Sequence, residues 1–143
     1  MGETLRPDES PGLLLWRATL NWQRHVTAAL KPLGLTHVQF VLLASTWWLT
    51  RVAGEIPSQR RLAEHANTDP MMTSQVLRTL AEKGLVVREP DPEDSRALRI
   101  DVTEPGAALA HRAITVVEHT DQAFFEAVDD HQALMSVLRT LGR

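Results

Sequence analysis

The sequence predicts a mainly α-helical fold that carries one small β-hairpin. Three observations lead to this prediction. Apolar residues recur every three or four positions along most of the chain, which is typical of helices packed against a core. One stretch, from Ala97 to Thr103, instead alternates between apolar and polar residues, as a half-buried strand does. Residues that favour helix starts also stand directly before the apolar segments.

The composition indicates a single globular domain. The chain has 143 residues, of which 43% are apolar, and this is enough for a core of its own. It contains no cysteine, so disulfides and thiolate metal sites are excluded. No stretch reaches the roughly 18 uncharged apolar residues of a membrane span, and the first ten residues are too charged for a secretory signal. We therefore expect a soluble cytoplasmic protein with no membrane partner.

The charges are distributed unevenly along the chain. The formal net charge is −3, and residues 101–143 contain three basic and seven acidic side chains. Residues 51–100 contain eight of each. A surface that binds a polyanion is therefore expected within the first hundred residues.

Two helices are predicted before residue 52. Ser10 can cap the first, with Pro11 at its first position. Thr36 and Gln39 form a capping box that opens the second, which runs to about Arg51. Because the second helix is apolar on nearly every side, it should be central. The first helix has one apolar stripe, formed by Leu15, Ala18, Trp22, Val26, Ala29 and Leu33.

A short helix, a tight turn and a second helix are predicted next. Ser58 can cap a helix from Gln59 to Ala66, and Asp69 with Pro70 gives a firm start to a helix that Gly84 ends. This arrangement is typical of helix-turn-helix DNA readers. The second helix has a buried stripe of Thr73, Val76, Leu77 and Leu80 and an opposite face of Met71, Ser74, Gln75, Arg78 and Glu82.

A β-hairpin directly after these helices forms a wing. Leu85 to Arg88 is prone to form a strand, and the alternating stretch supplies a second strand. The prolines and acids from Glu89 to Arg96 favour a long turn between them. Arg96 at its end could enter a narrow minor groove, where the negative potential is strong. The predicted architecture is therefore a winged helix-turn-helix.

Two further helices are predicted at the carboxyl end. The first, capped by Thr103, runs from about Pro105 to Val128, or roughly 36 Å. Asp129 is expected to cap the last one. The long helix would outreach a winged-helix core and leave its apolar stripe exposed in a monomer. We expect a second copy of the chain to cover it, most simply with two-fold symmetry.

In their order and spacing, these motifs resemble the MarR (multiple antibiotic resistance regulator) family. The resemblance covers about half of the chain, from Leu35 to Gly106. Two departures are notable: Ser95 sits where members often carry a basic residue, and Gln75 where arginine is common. The motifs are Leu35-Thr36, Gln39-Phe40, Leu43, Leu62-Ala63, Leu80, Gly84-Leu85-Val86, Arg88, Asp94-Ser95-Arg96, Val102-Thr103 and Gly106.

The resemblance implies a homodimer that binds a palindromic operator in double-stranded DNA. Such regulators are usually repressors, and a small aromatic or amphipathic effector often releases them. Residues 1–34 would form an amino-terminal dimerisation helix, 35–104 the DNA-binding lobe, and 105–143 the carboxyl-terminal dimerisation helices. By the same pattern, the helix from Pro70 to Lys83 would be the recognition helix and Asp94 would order the wing.

The candidate DNA contacts come from three places. Glutamine can pair with adenine and arginine with guanine, each through two hydrogen bonds. The alternative for the outer face of the second helix is an ordinary solvated surface. The alternative for Arg60 is an ion pair with Glu64. The alternative for Arg96 is a salt bridge within the wing, to Asp94 or Glu93. The candidates are Met71, Thr73, Ser74, Gln75 and Arg78 on the recognition helix, Arg60 and Arg61 as phosphate anchors, and Arg96 on the wing.

Other sites are less clearly indicated. Trp16, Trp22, Phe40 and Trp47 are candidates for an effector cleft, which the family places between the DNA-binding lobe and the dimer helices; core or interface packing is the alternative. The six histidines lack metal-ligand spacing. Because no catalytic constellation can be singled out, we expect neither an enzyme nor a cofactor.

The sequence therefore predicts a ligand-responsive, sequence-specific transcriptional repressor. One alternative is a winged-helix protein-interaction module that docks a partner protein and does not bind DNA. A second is a helical protein that stores or binds a ligand, for which the tryptophans are the main argument.

Overall fold

The helices and strands follow one another in the predicted order. The computed structural model describes residues 4–143. The elements are α1 (Pro11–Leu30), α2 (His37–Trp47), α3 (Gln59–Ala66), α4 (Pro70–Glu82), β1 (Val86–Pro90), β2 (Leu98–Val102), α5 (Glu104–Phe125) and α6 (His131–Leu141), with short 3-10 turns at Pro7–Glu9 and Lys31–Leu33.

Helix α2 is the centre of the molecule, as its apolar sequence predicts. Leu42 and Leu43 are fully buried, and so is Thr46, whose hydroxyl donates to the Leu42 carbonyl at 2.7 Å. Helices α1, α3, α4 and α5 and strand β2 all pack against α2. One core therefore joins the helix-turn-helix to the first and long helices.

The second helix does not remain α-helical to Arg51. The α-helix ends at Trp47 and continues as a wider π-helical turn over Trp48–Val52. The Thr50 hydroxyl donates to the carbonyls of Thr46 at 2.7 Å and Trp47 at 3.2 Å. Such bonds from a side chain to the preceding turn compete with regular helical hydrogen bonds, and this favours the change of pitch.

Local caps start the helices largely where they were predicted. Side chains of Ser10, Thr36, Ser58 and Asp69 each accept a backbone N–H of the first turn. The exception is α6, which begins at Asp130 rather than Asp129: the Asp130 carboxylate accepts from the Ala133 N–H at 2.9 Å. The chain is extended at this aspartate, the conformation that a cap requires.

Helix α5 is shorter than predicted. It ends at Phe125 instead of Val128, and its 22 residues make it about 33 Å long. The Val128 N–H donates to the Phe125 carbonyl at 3.0 Å, a bond across three residues that closes a turn. The chain can therefore reverse direction before α6.

Strand β1 extends farther towards the tip than expected, whereas β2 is shorter than the alternating stretch. Strand β1 includes Glu89 and Pro90, which the sequence assigned to the turn, and Pro90 pairs with Leu98. A proline fits there because it lies at the end of the strand, where it needs no N–H donor. The Ile100 N–H also donates to the Pro57 carbonyl at 2.8 Å. The residues before α3 therefore form an isolated β-bridge to strand β2, between Ser58 and Arg99, which the sequence did not predict.

Both ends of the described chain present apolar side chains that the chain itself does not cover. In the predicted stripe of α1, Val26 is buried, Trp22, Ala29 and Leu33 are half-buried, and Leu15 and Ala18 are exposed. Leu30, which was not placed in the stripe, is also buried. Helix α6 has no buried residue, and Leu141 is 65% exposed. The uncovered set comprises Leu14, Leu15 and Trp16 on α1 and Met135, Val137, Leu138 and Leu141 on α6.

Within residues 4–143, no single helix is long and apolar enough to cross a membrane. Residues 11–33 and 37–52 reach that length and composition only when joined across a 73° bend.

The start of α5 lies directly against Leu85, the residue before β1. A Cβ atom on Gly106 would be 1.9 Å from the Leu85 carbonyl oxygen, which belongs to the backbone and cannot turn aside. We expect Gly106→Ala to lower the free energy of unfolding by about 2 kcal/mol or more, measured by urea denaturation.

Gly34→Ala is the matched control. Gly34 has a left-handed φ of 71°, but a Cβ there would meet no atom within 4 Å. Its cost should be roughly 1 kcal/mol, from the backbone conformation alone. Equal costs for the two alanines would show that the close approach at Gly106 does not constrain the fold.

Candidate nucleic-acid interface

Helix α4 has one buried face and one free face. Leu77 and Leu80 are fully buried and seat the helix on the core. On the opposite side, Gln75 and Arg78 are exposed, Met71 is 72% exposed and Ser74 is half-buried. The structure thus brings together, on one outward surface, the predicted residues of this helix other than Thr73.

Thr73 was wrongly included among the DNA contacts. Its side chain is fully buried, and its hydroxyl donates to the Asp69 carbonyl at 2.8 Å. It also lies 2.7 Å from the Thr68 hydroxyl. Thr73 therefore closes the turn between α3 and α4. Its place in the buried stripe, four residues before Leu77, was the sequence signal for this role.

Both arginines at the start of α3 form exposed ion pairs. Arg60 Nε lies 3.2 Å from Glu64 Oε1, so the pair considered as the alternative is formed, and Arg61 Nε lies 3.2 Å from Glu55 Oε1. The Arg60 side chain is 90% exposed. Solvent-exposed pairs of this kind contribute little stability, so they do not prevent either guanidinium from contacting a phosphate.

Two aspartates shape the tip of the wing. Asp94 Oδ1 accepts from the Arg96 backbone N–H at 3.0 Å, and Asp91 Oδ1 accepts from the Glu93 N–H at 2.8 Å. The Arg96 side chain is 94% exposed, with its Nε 3.7 Å from Asp94 Oδ1. The tip is therefore held by short local bonds while its arginine projects into solvent.

The base of the wing is tied to α3. Arg88 on β1 donates through Nη2 to Gln59 Oε1 at 3.2 Å. Its Nε is buried and has no hydrogen-bond partner among the described residues. Arg99 on β2 lies 3.6 Å from Glu89 across the hairpin. These contacts join the wing to the helix-turn-helix as one surface.

The four aromatic candidates for an effector cleft lie in different environments. Trp22, Phe40 and Trp47 are partly buried against the core, whereas Trp16 is 64% exposed on the uncovered half of α1. Trp22 Nε1 donates to Asp121 Oδ1 at 2.8 Å, which joins α1 to α5. The Trp47 ring meets His111 edge-on, with 4.7 Å between ring centroids.

His37, the first residue of α2, lies beside this joint. Its ring is 5.0 Å from that of Trp22, in an edge-to-face arrangement. Burial lowers the pKa of His37 from its ordinary value of 6.5, and the Asp121 carboxylate partly opposes this shift. Sequence analysis missed this cluster. A partly buried indole N–H does need an acceptor, but the acceptor lies 99 residues away.

Within residues 4–143, no group of three or more His, Cys, Asp or Glu side chains lies close enough together to hold a metal ion.

Helices α3 and α4 with the following hairpin define the winged helix-turn-helix class of DNA-binding folds. The chain belongs to the MarR family of transcriptional regulators. The MarR family model matches residues 35–98. The chain is also 44% identical, over 135 residues, to the uncharacterized HTH-type transcriptional regulator YdcH of Bacillus subtilis, covering 94% of this chain and 91% of that protein.

Two further proteins are similar to this chain. The HTH-type transcriptional repressor Rv2887 of Mycobacterium tuberculosis is 38% identical over 117 residues, which cover 80% of this chain and 79% of the relative. The structure of the transcriptional repressor CouR bound to a 23-mer DNA duplex has a TM-score of 0.83 and 27% identity, covering 99% and 100% of the two chains. CouR from Rhodococcus jostii RHA1 bound to p-coumaroyl-CoA has a TM-score of 0.82 and 26% identity, covering 96% and 93%.

The lowered pKa of His37 makes the fold sensitive to acid. In the unfolded chain, His37 takes up a proton near its ordinary pKa of 6.5, whereas the folded chain binds that proton only at lower pH. The unfolded state therefore gains protons first, so the free energy of unfolding should fall as the pH drops below about 6.5. Urea denaturation at several pH values should show this slope, and His37→Gln should reduce it.

Asp121→Asn provides the matched comparison. It keeps an acceptor for the Trp22 indole but removes the charge that opposes the shift, so the pKa of His37 should fall further. The loss of stability should then continue to lower pH than in the unmodified chain. A slope that is the same in all three proteins would contradict the role of burial at His37.

Proposed function

We propose that this protein is a homodimeric transcriptional repressor that binds a palindromic operator in double-stranded DNA. The observation that carries the proposal is the outer face of α4. Gln75 and Arg78 project from a helix whose opposite face is fixed in the core, in a chain that belongs to a family of transcriptional regulators. The DNA-bound structure of CouR and the repressor name of Rv2887 support it.

The proposed contacts divide into those that specify and those that position. Gln75 and Arg78 would read base edges in the major groove, with Ser74 beside them. Arg60 and Arg61 would contact phosphates, which fixes the orientation of α4 on the duplex without reading sequence. Met71 would pack close to the duplex at the start of α4.

The wing would make the third contact. Arg96 would enter the minor groove that flanks each half-site, where the negative potential attracts a guanidinium. Asp94 would order the tip through its bond to the Arg96 N–H, so that the side chain leaves the wing in a fixed direction.

A second copy would cover the apolar faces of α1 and α6. In this division, residues 1–34 and 105–143 form the dimerisation helices and residues 35–104 the DNA-binding lobe. The exposed apolar side chains on both end helices support it, because a monomer would leave them in water. Two-fold symmetry would place two α4 helices in successive major grooves, about 34–36 Å apart.

A small aromatic or amphipathic effector would control binding. CouR bound to p-coumaroyl-CoA supports this class of ligand. Trp22 and Trp47 contact α5 through Asp121 and His111, and Phe40 packs against the same core. A ligand there could alter how the dimerisation helices meet the DNA-binding lobe. Trp16 would contribute from the uncovered half of α1. The effector must bind the DNA-incompetent dimer more tightly than the competent one. In this proposal the protein acts in the cytoplasm, with the chromosome, and catalyses no reaction.

Arg96→Ala should weaken operator binding on every sequence. Removing the guanidinium from both wings should cost about tenfold or more in affinity, because each wing loses its minor-groove contact. Fluorescence anisotropy with labelled duplexes measures this directly. Arg112→Ala, which removes an exposed charge from α5, is the matched control and should change affinity much less.

Gln75→Ala should change which base is preferred at one position of each half-site. Its loss removes a side chain that can form two hydrogen bonds to a base, worth about 1–3 kcal/mol of discrimination. Selection of bound duplexes from a random DNA pool would reveal the change. Glu82→Ala, farther along the same helix, should leave the selected sequence unaltered.

The alternative function, a winged-helix module that docks a partner protein, makes a different prediction. Such a module would bind no duplex even at low salt, where contacts to phosphates are strongest. Retained binding that is selective for a palindrome would exclude it.

A further inference from the structure

The carboxyl end of α4 is hydrogen-bonded to the corner where α1 meets α2. Lys83 directly follows the last residue of α4, and its Nζ donates to the Gly34 carbonyl at 2.9 Å. It also lies 3.3 Å from Gln39 Oε1, which accepts from the Thr36 N–H at 3.1 Å. One ammonium group therefore connects the recognition helix to the turn that ends α1 and to the capping box that starts α2.

The same end of α4 is bonded on its other side to the start of α5. The Thr103 hydroxyl donates to the Gly84 carbonyl at 2.7 Å and accepts from the Gly106 N–H at 3.0 Å. The Thr103 N–H donates to the Leu85 carbonyl at 3.1 Å. Thr103 thus caps α5 and fixes that cap to the residues that follow α4.

The amino-terminal half of α4 has no comparable connection. Its side-chain hydrogen bonds connect it to the turn before it. The Asp69 carboxylate accepts from the Met72 N–H, and the Thr73 hydroxyl is bonded to the Thr68 hydroxyl. Within residues 4–143, no side-chain hydrogen bond joins this half of α4 to α1 or α5. The side-chain hydrogen bonds that connect α4 to the end helices are therefore confined to its carboxyl end.

We infer that Lys83 and Thr103 are positioning residues for operator binding. They hold the end of the recognition helix between the end of α1 and the start of α5, so that the spacing of two α4 helices follows the arrangement of the dimer. The inference rests on the proposed function, because it concerns how the two half-sites of one operator are reached together.

A direct contact of Lys83 with a phosphate is the competing explanation. Lys31 offers the control, because it lines the same surface groove as Lys83, Gly34 and Gln39. No hydrogen bond from the Lys31 side chain to another part of residues 4–143 is formed. Lys31→Met and Lys83→Met remove the same charge from the same groove, but only Lys83→Met removes bonds to α1 and α2.

Thr103 can be tested without removing the cap of α5. Thr103→Ser keeps both the donor and the acceptor. Thr103→Asp keeps an acceptor for the Gly106 N–H, but at neutral pH it has no proton to donate to the Gly84 carbonyl. Thr103→Asp therefore breaks the side-chain bond to Gly84, keeps the backbone bond to Leu85, and leaves the start of α5 capped.

The first measurement is selectivity for half-site spacing. A palindrome selected with the unmodified protein is compared with duplexes whose half-sites are one base pair closer or farther apart. We expect Lys83→Met and Thr103→Asp to reduce the preference for the selected spacing by about tenfold, the equivalent of ~1.4 kcal/mol. Lys31→Met and Thr103→Ser should keep it. Because selectivity is a ratio of affinities, a general change in charge cancels.

The second measurement separates positioning from phosphate contact. A lost phosphate contact lowers the slope of log affinity against log salt by about 0.9 per site, or about 1.8 per dimer. A lost positioning contact leaves the slope unchanged. A reduced slope in Lys83→Met with unaltered spacing selectivity would assign Lys83 to the phosphates and overturn the inference.

The third measurement needs no DNA. Because the chain has no cysteine, Gln75→Cys provides one spin-label site on each recognition helix of the dimer. Lys83→Met and Thr103→Asp should broaden the distribution of distances between the two labels, whereas Lys31→Met and Thr103→Ser should not. Circular dichroism tests whether each variant is folded. If Lys83→Met does not fold, Thr103→Asp still tests the inference.

The outcomes distinguish this inference from the proposed function. An unmodified protein that binds no duplex would remove the proposed function and the inference with it. An unmodified protein that binds a palindrome, with spacing selectivity and label distances unchanged in both Lys83→Met and Thr103→Asp, would overturn the inference alone.

Discussion

The structure depends on the burial of the middle of α2. Leu42 and Leu43 have no exposed surface, and the residues that cover them come from both the DNA-binding lobe and the end helices. Leu77 of α4 and Ala110 of α5 belong to the same cluster. Because protein interiors are close-packed, the lobe cannot move relative to the end helices without repacking these side chains. An effector that changes the spacing of the recognition helices must therefore favour a second packing of this core.

Small residues on α5 allow this shared core to form. Gly106, Ala107, Ala110 and Ala113 are buried on α5, which packs against α1 and α2. At Gly106 the helix also approaches Leu85 and Val102 closely. Farther along α5, Asp121 accepts the Trp22 indole N–H, so a polar joint follows the apolar contact. The helix is thus tightly packed near the DNA-binding lobe, whereas α6, which follows it, carries exposed apolar side chains.

Local sequence signals located most of the fold, and long-range contacts account for what they did not locate. Capping side chains act on backbone groups three residues away, so Ser58 and Asp69 could be recognised from sequence alone. The outer face of α4 followed from helical periodicity, except that Thr73 was also placed among the DNA contacts. The Trp22–Asp121 and Lys83–Gly34 bonds join residues 99 and 49 positions apart, and no local pattern identifies such partners. The choice between Asp129 and Asp130 as the cap of α6 depended on where the chain turns.

In the proposed function, two copies of this chain read one palindrome together. Sedimentation of the protein with a duplex that carries the selected operator tests it most directly, because the mass of the complex gives the number of chains bound. We expect two chains per duplex, bound at least about 10³-fold more tightly than to a scrambled duplex at physiological salt. One chain per duplex, or equal affinity for the scrambled sequence, would contradict it.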